Sequence, residues 1–343
     1  MIVADRDPLD RSDVFRALDA ATGEVRWTVR YLAQARFDYG NAARATPLIA
    51  GELTYLYGAV GHLHCVETDS GKVVWKKDLR AEFNVDDDIP WGMCSSPLLV
   101  DDKLIVNPGA AEASLVALDP VDGHVIWKTP GDSAAFSSFI VGTFGGKRQL
   151  VGYDKTALGG WDIESGARLW RLVPPHDNDF NVPTPIEFEG QLLVSTENNG
   201  TRLYRFNPDG TIVPEPVAAN LELAPDTHTP VLVGSRLFGV WEGLHCLDAA
   251  NGLKAIWTSD DVAFINYCTV LASADRVLVM SQEGELVLLD PAATKFEPIS
   301  RLELFDDESG VLAHPAPLGK VLYVRDSAAI YCLDLAETAD TPR

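Results

Sequence analysis

Reactive side chains in this sequence gather beside proline- and glycine-punctuated segments. His176, His228 and His314 each stand in or next to such a segment. An imidazole there can bind a metal, move a proton or hydrogen-bond at the surface. The stretch "NVDDDIP" (84–90) brings Asp86, Asp87 and Asp88 together, with Trp91 just after it. Clustered carboxylate oxygens suit a hard cation such as calcium, but the glycine and terminal glutamate of an EF-hand loop are missing, so no metal ligation is expected. Asp177, Asp179, Asp226, Asp260, Asp261, Asp306, Asp307 and Glu308 continue the acidic pattern, accompanied by Phe37, Tyr39, Phe83, Phe136, Phe180, Phe264, Tyr267 and Phe305. Two readings stay open: a binding face for a cationic or stacking partner, or solvated carboxylates above aromatics that pack between neighbouring elements.

Nucleophilic chemistry finds little support. The five cysteines, Cys65, Cys94, Cys246, Cys268 and Cys332, form no CxxC motif and no adjacent pair. Neither a disulfide framework nor a zinc site follows from them. Cys94, in "WGMCSSP", has no local base to activate it and is expected to pack at the start of a strand. Gly-x-Ser-x-Gly, His-Glu-x-x-His and phosphate-cradling loops are all absent from the sequence. No catalytic residue is expected.

The elements that would hold these side chains are written in a repeat. "LDAATGEVRW" (18–27) returns as "VETDSGKVVW" (66–75), "LDPVDGHVIW" (118–127), "WDIESGARLW" (161–170) and, more loosely, "LDAANGLKAIW" (247–257). Gly23, Gly71, Gly123, Gly166, Gly210 and Gly252 recur at intervals of 42 to 52 residues, and Thr294 and Thr338 continue the series. Each unit holds four short apolar runs between turn residues, such as "SPLLV", "KLIV", "LVALD" and the segment leading to Trp127. Strand-length runs without helical period, four to a unit, predict an eight-bladed β-propeller of four-stranded antiparallel blades. The acid is read as a turn-former and the glycine as the positive-φ residue that closes the hairpin. Trp27, Trp75, Trp127, Trp170 and Trp257 then fall on the outermost strands, where an indole can reach the adjoining blade. Pro214 and Pro298 replace the tryptophan in two units, as an edge strand permits. The position two before the acid holds Cys65, Cys246, Cys332, Ala17, Ala117 or Gly160, which predicts small, buried core fillers.

This repeat resembles that of the PQQ-like β-propeller superfamily, which includes quinoprotein alcohol dehydrogenases and the eight-bladed lipoprotein of the outer-membrane β-barrel assembly machinery. The run from Trp91 to Phe139 looks especially like PQQ-like repeat proteins of planctomycetes and related bacteria. The resemblance covers essentially the whole chain, read as a single domain, residues 1–343. It implies a binding or scaffold propeller that engages a protein partner or small ligand on the loops joining one blade to the next. The alternative it leaves open is a quinoprotein-type oxidoreductase acting on an alcohol or sugar with PQQ and calcium. Against that stand the missing adjacent cysteine pair and the missing blade insertions, so no cofactor is expected. A third reading is carbohydrate or peptide recognition.

The formal net charge of −22 disfavours a nucleic-acid partner. No run of eighteen apolar residues suggests a membrane helix. By the blade grammar, the first unit opens on a second strand and the last lacks its fourth. A closing segment of roughly 30 residues is expected ahead of Met1. By resemblance, that segment would also carry any export signal to the periplasm.

Overall fold

The computed structural model describes residues 1–86, 89–305 and 310–335. The chain is an all-β, eight-bladed β-propeller of antiparallel blades, four-stranded except for the first and last, which have three strands. Blade 1 comprises Ile2–Arg6, Ser12–Leu18 and Val25–Leu32. Blade 2 comprises Leu48–Ala50, Leu53–Tyr57, His62–Glu67 and Val73–Asp78. Blade 3 runs from Leu98–Val100 to Val125–Thr129, blade 4 from Ile140–Phe144 to Arg168–Leu172, and blade 5 from Ile186–Phe188 to Ala218–Asn220. Blade 6 runs from Val231–Val233 to Lys254–Ser259, blade 7 from Cys268–Ala272 to Pro298–Glu303, and blade 8 from Ala316–Leu318 to Ile330–Asp334. The chain divides into two compact units, Met1–Val194 with Tyr204–Pro216, and Ser195–Leu203 with the chain from Val217 onward. The dividing line passes through blade 5.

The recurrent turn works through its side chains. Asp19 Oδ1 accepts the backbone N–H groups of Ala21 and Thr22 at 2.9 and 3.0 Å, and Asp119, Asp162 and Asp248 cap their turns in the same manner. Gly23, Gly123 and Gly166 follow with φ of 74°, 75° and 69°. The returning strand then carries one extra residue, a bulge, which brings each tryptophan opposite the residue two before the acid. The pairs are Ala17 with Trp27, Cys65 with Trp75, Ala117 with Trp127, Gly160 with Trp170 and Cys246 with Trp257.

Each indole reaches out of its own blade. Trp27 Nε1–H donates to the Thr68 carbonyl at 2.8 Å, Trp75 to Pro120 at 3.0 Å, and Trp127 to Ile163 at 3.0 Å. In the second unit Trp257 donates to Ala293 at 3.1 Å. All four acceptors lie in the turn of the following blade. The glycine of that turn lies under the ring: a Cβ on Gly71 would sit 2.6 Å from Trp27, one on Gly123 2.9 Å from Trp75, and one on Gly166 would clash with Trp127. Trp170 departs from the pattern. Its N–H donates to Gln149 Oε1 at 2.6 Å within its own blade, and Gln149 Nε2 passes the link on to the Gly210 carbonyl at 2.9 Å.

Apolar cores lie between successive blades. One joins blades 2 and 3 through Tyr55, Leu63, Leu104 and Val116, and another joins blades 6 and 7 through Phe238, Cys246, Val279 and Val287. Burying one such side chain contributes roughly 1.5–3 kcal/mol. Cys65 and Cys246 are buried there, but Cys332 is exposed, contrary to the sequence expectation. It lies on the last strand of blade 8, where no strand among the described residues covers the outer edge. Pro298 opens the outermost strand of blade 7, whereas Pro214 falls just outside a short outer strand in blade 5. Among the described residues one α-helix interrupts the β pattern, besides two short 3-10 turns, Ala249–Asn251 and Val262–Phe264. Leu79–Phe83 is capped by Asp78, which accepts the Ala81 N–H at 3.0 Å, and is stopped by Asn84 in the left-handed region.

Gly166→Ala and Gly23→Ala separate the two demands on the motif glycine. Both carry positive φ, but only Gly166 lies under an indole, while no atom lies within 4 Å of a Cβ on Gly23. Urea unfolding should show Gly166→Ala losing about 2 kcal/mol more than Gly23→Ala. Equal losses would mean that the glycine serves the turn alone.

Candidate functional site

In the first unit the loops between blades are tied together by aromatic rings. Trp91 packs on Phe136 at 4.7 Å between centroids and edge-on to Phe180 at 4.6 Å, one ring from each of three successive inter-blade loops. Phe180 remains half exposed and Trp91 is partly buried. Asp179, beside Phe180, is buried, while Asp86 and His176 are exposed. Asp87, Asp88, Asp306, Asp307 and Glu308 lie outside the described residues.

A second group in this unit has no counterpart in the sequence reading. Asp13 is fully buried at the start of a central strand and accepts a bond from Arg6 Nη1 at 2.7 Å. Burial raises its pKa, with Arg6 opposing that rise. The Tyr31 ring stacks on His64 at 4.2 Å. Burial pushes His64 down to about 4, with His62 and Lys76 adding to the effect. A Cβ on Gly58 would collide with Tyr31 Oη and sit 2.5 Å from Asp13 Oδ2, so only glycine admits this contact between blades 1 and 2. His64 is uncharged near neutral pH, and the group acts as an interlock between blades.

The second unit carries a cleft of about 410 Å³ between blades 6 and 7. Four loops build it. The loop entering blade 6 supplies Asp226 and His228, and the tight hairpin after Arg236–Val240 supplies Trp241 and Glu242. The loop entering blade 7 supplies Ile265, Asn266 and Tyr267, and Gln282 closes the far wall. His228 Nε2 accepts the Val240 N–H at 3.0 Å, which fixes the ring and leaves its proton on Nδ1. Burial, assisted by His314, pushes His228 down to about 3. The Trp241 carbonyl bonds His245 Nε2 at 2.9 Å, and Glu242 takes φ of 52° in the hairpin. Asn266 Nδ2 donates to Glu283 at 2.5 Å, which leaves the amide oxygen as an acceptor. Burial raises the Asp226 pKa above its ordinary value. Among the described residues neither Asp226 nor Glu242 makes an ion pair.

Of the residues singled out from the sequence, this cleft collects His228, with Asp226 and Tyr267 from the wider acidic and aromatic pattern. His314 does not line the cleft; its charge adds to the lowering of the His228 pKa, and burial lowers its own. Trp241, Glu242 and Gln282 escaped the sequence reading. The one available signal was Trp241 itself, a tryptophan off the repeat spacing.

The donor groups do not fit a quinone–calcium centre. The His, Cys, Asp and Glu atoms close enough to share an ion are those of Asp119, Asp122 and His124, among the described residues. They sit on an outer turn where Asp119 and Asp122 accept backbone N–H groups. Cys94 points its thiol at the Trp91 and Gly92 carbonyls, and burial raises it to about 12. Cys268, on the cleft wall, bonds the Ala263 carbonyl and is likewise raised to about 12. Neither is a ready nucleophile.

Blades closed by an acid and a glycine, and joined to their neighbours by an indole, define a propeller of the PQQ-like repeat class. The chain belongs to the family described as outer membrane protein assembly factor BamB, whose model matches residues 10–259. Among solved structures it is similar to BamB from Moraxella catarrhalis, with 13% identity over 97% of this chain and 92% of that one and a TM-score of 0.66. It is also similar to quinohemoprotein alcohol dehydrogenase from Comamonas testosteroni, with 13% identity over 100% of this chain and 74% of that one and a TM-score of 0.64. The C-terminal WD40 domain of Sif2 matches at 11% identity over 96% and 90%, with a TM-score of 0.63. At these identities the likeness is one of fold. No curated protein matches the chain.

The buried imidazoles set an acid limit. An unfolded histidine takes its proton near pH 6.5, whereas His228 stays neutral in the fold to about 3 and His64 to about 4. Between those limits the unfolded state binds more protons, so stability falls as pH drops below about 6.5. His228→Gln keeps an acceptor for Val240. In urea unfolding from pH 6.5 to 4.5 it should flatten the stability slope by about 1.4 kcal/mol per pH unit. An unchanged slope would show that His228 already carries its proton in the fold.

Proposed function

We propose that this chain is a non-catalytic binding propeller that holds a partner protein against its inter-blade loops, with the cleft between blades 6 and 7 as the anchoring contact. The cleft carries the reading. It is of ligand-pocket size, it is lined by two large aromatic side chains, and among the described residues its two carboxylates make no ion pair. Its walls are held by backbone bonds to His228 and from Gln282, whose N–H donates to the Tyr267 carbonyl at 2.8 Å, so little ordering is needed on binding. The family's description as an assembly factor agrees with a protein partner. A quinone-dependent oxidoreductase gains nothing from the donor set described above.

Site-specific photo-crosslinking tests this reading. A crosslinker replacing Tyr267 should capture one dominant partner in native extract, and one replacing Val121, exposed on an outer turn, should not. Trp241→Ala should weaken that partner by about 2 kcal/mol, roughly thirtyfold. Equal labelling from both positions, or full binding by Trp241→Ala, would remove the proposal.

A further inference from the structure

We infer that the cleft between blades 6 and 7 is a guanidinium seat, built to take an arginine side chain; this rests on the loop-face reading above. The chain shows the same construction twice with arginines of its own. Arg168 bonds Asp154 at 2.8 Å and lies 4.8 Å over the Trp161 ring. Arg301 bonds Asp261 and Glu285, and lies 5.8 Å over Phe296. In both places a planar cation is held by carboxylate oxygens and covered by an aromatic face.

The cleft brings the same residue types together, and among the described residues no cation of the chain pairs with its carboxylates. Half-buried Asp226 and exposed Glu242 bring carboxylates to its lining, and Trp241 and Tyr267 bring aromatic rings. Asn266 also lines the cleft, its amide nitrogen donating to Glu283. Elsewhere, three buried acids of this chain are paired with an arginine, Asp7 with Arg30 at 2.6 Å, Asp13 with Arg6 at 2.7 Å, and Asp154 with Arg168 at 2.8 Å, whereas buried Asp326 accepts the Ala328 and Ala329 N–H groups and the Tyr331 hydroxyl instead. Asp226, half-buried, has no arginine partner among the described residues. A carboxylate withdrawn from water is stabilised by an opposite charge close by, and the cleft leaves that charge to a ligand. A volume of about 410 Å³ accommodates an arginine side chain with part of its backbone. A guanidinium fits better than an ammonium, because its flat face stacks on a ring while its edge meets a carboxylate.

Calorimetry on the full chain tests the assignment with three probes: Nα-acetyl-arginine amide, a seven-residue peptide with one central arginine, and the same peptide with citrulline, a neutral isostere. The arginine peptide should bind about tenfold or more tighter than the citrulline peptide. Asp226→Asn and Glu242→Gln should each remove most of that difference, while Trp241→Phe should retain it. A peptide that outbinds the amide assigns the guanidinium to a partner protein, and equal binding assigns it to a small guanidinium ligand; both uphold the chemistry. No binding of the arginine peptide, or arginine and citrulline peptides bound alike, overturns the inference. If they bind alike and Trp241→Ala abolishes both, guanidinium selectivity falls and the loop-face reading stands. If Trp241→Ala also leaves the crosslinked partner unaffected, that reading falls too.

Discussion

The contact between an indole and the glycine of the next turn governs this structure. A tryptophan contributes its apolar area only if the neighbouring backbone comes close enough, and Gly71, Gly123 and Gly166 allow that approach by having no side chain. The same approach places a carbonyl at the indole N–H, so the one polar atom of the ring is satisfied as the ring is covered. The bulge and the small residue opposite follow from this demand, because the ring has to lie flat over its own blade before it can reach the next. Stability is therefore largely a sum of neighbour-to-neighbour terms, as in other repeat proteins.

Much of this was legible because it is local. An acid, a glycine and a tryptophan within ten residues specify a capped turn and an edge strand, and the strand order follows from antiparallel hairpins. The second reason for the glycine was not legible, since the ring it receives comes from the preceding repeat. Gln149 was equally hidden: it replaces a direct link by joining Trp170 to the Gly210 carbonyl, which lies 61 residues beyond Gln149 itself. Cys332 read as core because its neighbours in the repeat are core, and it lies exposed because burial there depends on a covering strand. Asp13 went unnoticed because its partners Arg6 and Tyr31 reach it from other strands.

The candidate site divides the same way. Asp226, His228 and Tyr267 were visible as loop residues of suggestive type. Trp241 and Glu242 occupy a hairpin inside blade 6 that no motif marks, and nothing local told which loops would meet. What marks a carboxylate as poised for a ligand is partial burial without a cation, a property of three-dimensional surroundings alone.

The proline on the outermost strand of blade 7 has an effect on local opening. Trp257 fastens blade 6 to blade 7, but Pro298 brings no indole toward blade 8, whose inner strand Ala316–Leu318 is exposed along its length. Amide protons of blade 8 should accordingly exchange with solvent through sub-global fluctuations well before those of blades 6 and 7, making it the least protected part of the second unit.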